Sequence, residues 1–414
     1  MPGYRRPLAG ISLLLLAAVS LRAGDGELSL AQALETFYAH NYDILVSRLE
    51  VDKAAADVTG AKLLPNPALA YNYTSIYFGR GQGVRVGDNT LWSVRLDQPI
   101  QIAGQRGLRV RTAEAALEAV RLSHQDTVRT LTAGFFGLYY TVLLDEADAD
   151  FSRQELARTD RILEVSGKRL EAGALSGLDF AKLRLSRIDV EAGLIDGEAR
   201  LRNDLESFNV LLGGDGSLRP APAEPPGPFA GYSEDTLLPA AYAKRPDLLS
   251  LEKQLAAAES ARRLARANGI PDLSIGAEYD SLGPDRQPAF GFGLSLNLPL
   301  FNRNQGEVQK AVAVREQVKV ELDKARRQVQ AEVRQALASY QAAVRVFEAY
   351  RVHREEMSDL LDRTNQAFAR GGLTVLEFLD TQKSYRDFMA KYLQALTQSL
   401  LSEALLKLTA GGIS

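Results

Sequence analysis

Cysteine is absent from this sequence, and histidine occurs only three times. Without thiols, disulfide frameworks, thiolate metal sites, iron–sulfur clusters and cysteine-linked lipid anchors are excluded. The 49 lysines and arginines are balanced by 52 aspartates and glutamates, so the basic excess typical of nucleic-acid-binding proteins is missing. No phosphate-binding glycine loop, HExxH motif or nucleophile elbow occurs. We therefore predict no enzyme, no catalytic residue, no cofactor, no bound metal and no nucleic-acid partner.

Long hydrophobic runs are also scarce, and the one near the amino terminus has the form of an export signal. Arg5 and Arg6 precede an apolar run over residues 8–21, and small residues follow it. This order is typical of a secretory signal peptide, whereas a membrane-spanning helix needs about 20 apolar residues. We predict a signal peptide over residues 1–23, with cleavage within 18–24, and an exported mature protein. An uncleaved membrane anchor is the alternative.

The two halves of the chain repeat one another in order and spacing. Residues 39–45, AHNYDIL, correspond to residues 243–249, AKRPDLL. Further on, residues 170–180 correspond to 368–378, so the offset changes only from 204 to 198. Such self-similarity indicates two copies of one structural unit. The predicted divisions are a first repeat over 24–213, a proline-rich linker over 214–235 and a second repeat over 236–414.

Each repeat is predicted to contain the same helices. A first helix extends over about residues 30–63 in one copy and 236–268 in the other. Proline-free stretches follow at 106–170 and 305–368, and each would span about 90–100 Å at 1.5 Å per residue. Glycines interrupt the helices at tips near 171–179 and 369–377, after which a second helix returns. The narrow apolar stripes favour lengthwise packing in antiparallel coiled coils.

Between the helices, hydrophobic residues alternate with small or polar ones, which indicates β-strands with two different faces. The predicted hairpins cover 68–99 and 272–299. Because a lone hairpin is unstable and sheet edges invite pairing, we expect the hairpins to pair and strands from several chains to close a barrel. The lipid-facing candidates are Trp92, Val94, Leu96, Phe290, Phe292, Leu294, Leu296 and Leu298, and the lumenal candidates are Arg95, Asp97, Glu278, Ser295 and Asn297. A soluble sheet packed on the helices is the alternative.

This arrangement resembles the TolC-type outer-membrane efflux proteins over nearly all of the mature chain, residues 28–408. The tip sequences 170–180 and 368–380 resemble that family's periplasmic turn, in which small residues precede an acidic one. Residues 96–106, LDQPIQIAGQR, resemble the strand-to-helix passage of the heavy-metal, CzcC-like branch. The resemblance implies a mainly α fold with a small β part, in a homotrimer. Each chain would contribute four strands to one twelve-stranded transmembrane β-barrel, and its long antiparallel coiled-coil helices would extend a tunnel through the periplasm.

By the same resemblance, the protein is expected to be the passive exit duct of a tripartite efflux system, embedded in outer membrane lipid. A periplasmic adaptor and an inner-membrane pump of the resistance–nodulation–division class would complete the assembly. Heavy-metal cations are the expected cargo, and a multidrug or type I secretion exit duct is the alternative. A soluble periplasmic coiled-coil scaffold or adaptor is a further alternative.

Acidic residues just after the two tip turns are candidates for the aperture of the duct. Glu377 and Asp380 are spaced to share one helix face, and Asp179 occupies the corresponding turn of the first repeat. By the resemblance, these residues match an acidic ring that narrows the periplasmic aperture, where packed carboxylates would favour cations. The alternative is a first-turn acid that stabilises its own helix through the helix dipole, by about 0.3–1 kcal/mol.

The residues of the tips themselves are expected, by the resemblance, to dock the adaptor. They are Gly173, Leu175, Leu178, Gly371, Gly372, Leu373 and Leu376. Turn chemistry alone would explain the glycines but not the leucines. The best-known multidrug member has gate-locking tyrosine and arginine residues where this chain has Phe368 and Leu373, which cannot form the same polar lock.

An acidic run occurs in the first long helix. It comprises Asp145, Glu146, Asp148 and Asp150. A charge run on a helix is typical of a solvated face, and we expect that placement here. Lining of the tunnel is the alternative.

Overall fold

The computed structural model describes residues 26–74, 91–214, 218–222, 227, 229–282 and 287–412. The predicted signal peptide and part of the proline-rich linker lie outside the described residues. In the first half, the elements are β1 (Glu27–Leu28), α1 (Leu30–His40), α2 (Tyr42–Lys62), β2 (Ala68–Thr74), β3 (Leu91–Ile100), α3 (Gln105–Glu171) and α4 (Gly177–Leu212). In the second half, they are β4 (Arg219–Pro220), α5 (Glu234–Lys244), α6 (Pro246–Ala267), β5 (Leu273–Leu282), β6 (Gln287–Leu296), α7 (Gln305–Ala369) and α8 (Val375–Thr409). The predicted mainly α class with a small β part is confirmed.

The first helix of each repeat is broken in two, so the prediction of single helices over 30–63 and 236–268 is wrong. At Asn41 the backbone is extended, and the side-chain Oδ1 accepts hydrogen bonds from the backbone N–H groups of Asp43 and Ile44. This N-cap starts α2 as a separate helix. At the corresponding position, Arg245 precedes Pro246, whose ring disfavours helical backbone in the residue before it. Local capping and proline chemistry therefore override the helical periodicity.

The long helices α3 and α7 have 67 and 65 residues, as the absence of proline predicts. Each therefore spans about 100 Å. After each helix the chain turns at a glycine in the left-handed region, Gly173 with φ 71° and Gly371 with φ 79°. A Cβ makes this conformation costly, so glycine ends these helices sharply. Among the helices described, none is both long enough and apolar enough to cross a bilayer.

The helices form a layer with two open edges. Near the strands, α3 packs between α2 and α6, and α6 packs on α7. Toward the tips, α3 packs between α4 and α8, and α8 packs on α7. Aromatic side chains fill the largest buried cluster, including Phe37, Phe135, Tyr139 and Phe208. Helices α2 and α4 therefore form one edge of the layer, and α7 forms the other.

The four longer strands form one antiparallel sheet in the order β2-β3-β5-β6. The central pair joins the two repeats, with Leu96 opposite Ala277, which in turn lies opposite Phe292. The two hairpins thus pair with each other, as predicted. Strands β2 and β6 are the outer strands of this sheet.

The linker region is attached to the helical layer at several points. Strand β4 pairs in parallel with β1, an element that the sequence analysis did not predict. Beyond it, the hydroxyl of Tyr340 donates to the carbonyl of Ala230 at 2.7 Å, and the hydroxyl of Tyr232 donates to Glu403 at 3.0 Å. The described part of the linker therefore anchors the junction of the repeats on α7 and α8.

Candidate duct surfaces on the sheet and at the tips

One face of the sheet is apolar. Strand pairing places Trp92, Val94 and Leu96 on the same face as the four predicted residues of β6, and Leu298 follows the end of that strand. Phe292 is 89% exposed and Leu294 72% exposed. An aromatic row crosses the strands through Tyr71, Trp92, Tyr279 and Phe290, with ring centroids 4.9–6.4 Å apart. Among the described strand residues, this face carries no charged side chain.

The opposite face of the sheet is polar and charged. Arg95 and Asp97 of β3 form an ion pair, with Nε of the arginine 2.8 Å from Oδ2 of the aspartate. Nη1 of Arg95 is 3.5 Å from Oε2 of Glu278, which lies directly opposite on β5. The sheet is therefore two-faced, as the alternation predicts.

The acidic residues of both tips take part in the hydrogen bonds that cap the return helices. At α4, the backbone N–H of Asp179 donates to Ser176 Oγ at 3.0 Å, and that hydroxyl donates back to the carboxylate at 2.8 Å. At α8, Thr374 and Glu377 form a full capping box. Hydrogen bonds from Ser176 and Lys182 lower the pKa of Asp179, and those from the backbone N–H and hydroxyl of Thr374 lower the pKa of Glu377. The helix-stabilising interaction considered for these acids is therefore present.

Glu377 and Asp380 nevertheless stay at the surface. Both side chains are exposed in the single chain and lie one turn apart on α8. Asp179 is half-buried and forms an ion pair with Lys182 at 3.3 Å. The capping contacts thus hold Asp179 and Glu377 at equivalent places on the two tips, with Asp380 a turn further along α8.

The tip leucines divide into two pairs. Leu178 and Leu376 occupy equivalent first-turn positions of α4 and α8, and they are 69% and 70% exposed. Leu175 and Leu373 are half-buried against an apolar cluster at the tips, which contains residues of both repeats. The exposed apolar surface at the tips comes from the first pair.

The tips of the two repeats are joined by a contact that sequence reasoning missed. Phe368 is buried, and its ring stacks on Phe378 with centroids 4.2 Å apart. From the end of α3, Nη1 of Arg169 donates to the backbone carbonyl of Phe368 at 2.8 Å, and the guanidinium lies 5.3 Å from the ring centroid. A basic residue in a last helical turn ordinarily indicates only a favourable dipole interaction, so its partner could not be predicted.

The acidic run on α3 is not a solvated face throughout, and that expectation is wrong for Asp145. The side chain of Asp145 is only 8% exposed because it faces α4, whereas the side chain of Asp150, on the same helix, is exposed. Burial, together with the nearby carboxylate of Asp204, raises the pKa of Asp145 to about 6. Asp148 of the same run pairs with Arg200 at 3.1 Å.

Within the part of the chain that the structure describes, no three His, Asp or Glu side chains cluster in a way that could hold a metal ion. The candidate functional features of the described residues are surfaces. They are an apolar sheet face, a charged sheet face, and acidic tips with exposed leucines. Such surfaces suit a wall that contacts lipid, solute and a partner protein.

Residues 33–214 and 237–412 match the family model described as outer membrane efflux protein. The chain therefore belongs to the outer membrane efflux protein family, and its place is the outer membrane, with the helices extending into the periplasm.

Curated relatives include heavy-metal resistance and export proteins. The cobalt-zinc-cadmium resistance protein CzcC of Cupriavidus metallidurans is 22% identical over 391 residues, covering 91% of this chain and 88% of CzcC. The pyoverdine export outer membrane protein OpmQ of Pseudomonas aeruginosa is 24% identical over 361 residues, covering 82% of this chain and 75% of OpmQ. The crystal structure of CusC shares the fold, with a TM-score of 0.78 at 18% identity over 99% of both chains. The predicted resemblance to CzcC-like outer-membrane efflux proteins is confirmed.

Proposed function

We propose that this protein is the passive outer-membrane exit duct of a tripartite efflux system and that its cargo is heavy-metal cations. The observation that carries the proposal is the two-faced sheet joined to helices of about 100 Å, because an apolar face and a charged face suit a wall between lipid and water. The duct catalyses no reaction, and an inner-membrane pump supplies the energy. Similarity to CzcC, which is named for cobalt, zinc and cadmium, supports the cargo.

The duct requires more than one copy of the chain. Four strands leave β2 and β6 as edges, and edges are removed only when a barrel closes. The helical layer also has exposed apolar residues on both open edges: Tyr42, Val46 and Leu49 on α2, Leu185, Ile188 and Ile195 on α4, and Val320 and Val352 on α7. We infer a homotrimer in which α2 and α4 of one chain pack on α7 of the next. Its twelve strands would form one barrel with the apolar face toward lipid.

The tips would form the periplasmic end of this trimer. The aperture would be lined by Glu377, Asp380 and Asp179. Hydrogen bonds at the helix caps keep the carboxylates of Glu377 and Asp179 in place. The exposed Leu178 and Leu376 would dock the hairpin of a periplasmic adaptor, with the tip glycines shaping the turns. The contact of Arg169 with Phe368 would hold the tips of one chain together where the polar lock of the multidrug member is missing.

An organic solute is the second candidate cargo, because OpmQ, named for pyoverdine export, is similar over a comparable length. A deletion strain distinguishes the two. Cells without the gene are exposed to cobalt, zinc, copper and nickel and, separately, to a panel of drugs, and cell-associated metal is measured. Metal accumulation without drug sensitivity, reversed by the wild-type gene, is the expected result. Drug sensitivity alone would reassign the cargo to organic compounds.

A further inference from the structure

An arginine lies flat across three strands on the charged face of the sheet. Besides the contact through Nε, Nη2 of Arg95 is 3.0 Å from Oδ1 of Asp97, so the guanidinium binds the carboxylate through two parallel bonds. Such bidentate pairs fix orientation as well as charge. The contact of Nη1 with Glu278 extends this charged cluster from β3 to β5, and therefore from the first hairpin to the second.

Two glycines make room for this arrangement. Gly276 lies directly opposite Asp97, and Gly293 lies directly opposite Gly276 on β6. A Cβ built on Gly276 would overlap Oδ1 of Asp97, and one on Gly293 would stand 3.4 Å from Nη2 of Arg95. Neither glycine has a positive φ, so the backbone does not require glycine here. What these positions require is the absence of a side chain beneath the ion pair.

The cluster does not balance its own charge. One guanidinium faces two carboxylates, which leaves one negative charge per chain, and Asp280 follows on the same face two residues after Glu278. The side chains of the cluster are 25–31% exposed, so their charges act on the adjoining water. Charges fixed on the wall of a narrow passage create a potential that selects ions by sign.

We propose that Arg95, Asp97 and Glu278 form a charge-selecting ring at the membrane end of the duct, with Arg95 limiting its preference for cations. This inference rests on the proposed function, because it requires the charged face to line the lumen of a trimer. Three copies then carry a net charge of −3 at this level, one from each cluster. Because Arg95 binds Asp97 and lies over Gly276 and Gly293, its side chain stays against the wall. It therefore reduces the negative charge of the ring without obstructing the passage.

The test is a series of charge variants reconstituted in planar bilayers, with the reversal potential measured across a KCl gradient. Arg95→Gln makes each cluster more negative by one charge, and Asp97→Asn makes it neutral. The double variant Arg95→Gln/Asp97→Asn restores the wild-type net charge and is the matched control. Asp97→Asn/Glu278→Gln makes each cluster positive.

We expect the ratio of potassium to chloride permeability to follow net charge. It should rise about two- to fivefold in Arg95→Gln, stay at the wild-type value in the matched control, and fall by a similar factor in Asp97→Asn. The last variant should prefer anions. The differences should shrink between about 0.1 M and 1 M salt, because the Debye length falls from about 10 Å to 3 Å.

Equal reversal potentials in all variants, with channels present, would overturn the charge-selecting ring and leave the duct intact. Absence of channels from the wild-type protein would contradict the proposed duct and, with it, the ring. Should Arg95→Gln yield no channels, the two variants that keep Arg95 decide the question, because a permeability ratio unchanged in both would overturn the proposal.

Discussion

At the residue scale, the structure places charged groups where sequence patterns predict only solvated surface. Asp145 belongs to a run of acids, yet it is buried between two helices beside Asp204. Arg169 ends a long helix, yet its guanidinium binds the other repeat. Each placement depends on a partner that is distant in the chain, and each has a measurable consequence.

The buried carboxyl of Asp145 makes the unfolding free energy depend on pH. Its pKa is raised to about 6 in the folded chain, so between about pH 4 and pH 6 the folded state binds more protons than the unfolded state. The unfolding free energy is therefore least reduced by this group at low pH, and it falls as pH rises through that window, because the carboxylate must ionise in a buried place. Asp145→Asn should remove this component of the pH dependence, measured by chemical unfolding monitored with circular dichroism.

The exposed acid Asp150 offers the control for that measurement. It pairs with Arg153 at 2.6 Å on the outside of α3, so Asp150→Asn should keep the wild-type slope over this window. A slope that Asp145→Asn leaves unchanged would contradict the assignment of the titration to this carboxyl.

Removal of the Arg169 side chain should loosen the joined tips. Arg169→Ala deletes a charged hydrogen bond, worth about 1.5–3 kcal/mol, together with a contact to an aromatic ring. Backbone amides over residues 366–374 should therefore exchange hydrogen faster, measured by mass spectrometry. Arg161→Ala is the matched control, because within the part of the chain that the structure describes Arg161 bonds only a carbonyl one turn away on its own helix. Equal exchange in both variants would show that Arg169 does not hold the tips.

At the element scale, the strands of the sheet follow from the alternation of hydrophobic residues in the sequence. The pairing of the two hairpins follows from the low stability that each would have alone. Alternation identifies the strands, and the instability of separate hairpins predicts that they pair. The register between β3 and β5 is not encoded in either strand alone, because it joins residues that are 173 to 189 positions apart. That register is what aligns the aromatic row on one face and Arg95 with Glu278 on the other.

A charge on the apolar face should hinder assembly in the membrane. Leu294→Arg is expected to cost about 2–4 kcal/mol if it faces lipid near the midplane, and to reduce the yield of heat-modifiable oligomer in outer-membrane fractions. The neighbouring Ser295→Arg places the same charge on the opposite face of β6 and should assemble normally. Normal yield of the Leu294 variant would contradict the lipid-facing assignment.

At the scale of the whole molecule, the proposed function depends on surfaces that a single chain leaves incomplete. The outer strands of the sheet and both edges of the helical layer are open. Among the described residues, the tip acids contact no side-chain partner beyond those of their own caps and Lys182. Fold and family follow from one chain, whereas the proposed aperture would form only where copies meet around an axis.

Replacement of the tip acids should change ion selectivity at the aperture. In a trimer, Glu377 and Asp380 would place six carboxylates around one axis, which favours cations and binds divalent ones. The double variant Glu377→Ala/Asp380→Ala should therefore show weaker cation selectivity and weaker block by divalent cations in planar bilayers. Glu164→Ala, which removes an exposed acid paired with Lys168 on α3, is the control. Unchanged selectivity and block in the double variant would remove these residues from the aperture.

The sequence by itself determined the long helices, the alternating strands, the tip turns and the family, because helix periodicity, proline, glycine and capping residues act within a few positions of the chain. The sequence also contains the signals that break the first helix of each repeat, at Asn41 and before Pro246. They were missed because the helical periodicity of hydrophobic residues continues across both positions. Only the tertiary structure decided which strands lie in register, which carboxyl is buried, and that Arg169 reaches Phe368 across 199 positions. These outcomes depend on contacts between distant segments, and a local pattern indicates which face a residue takes without indicating what will lie against it.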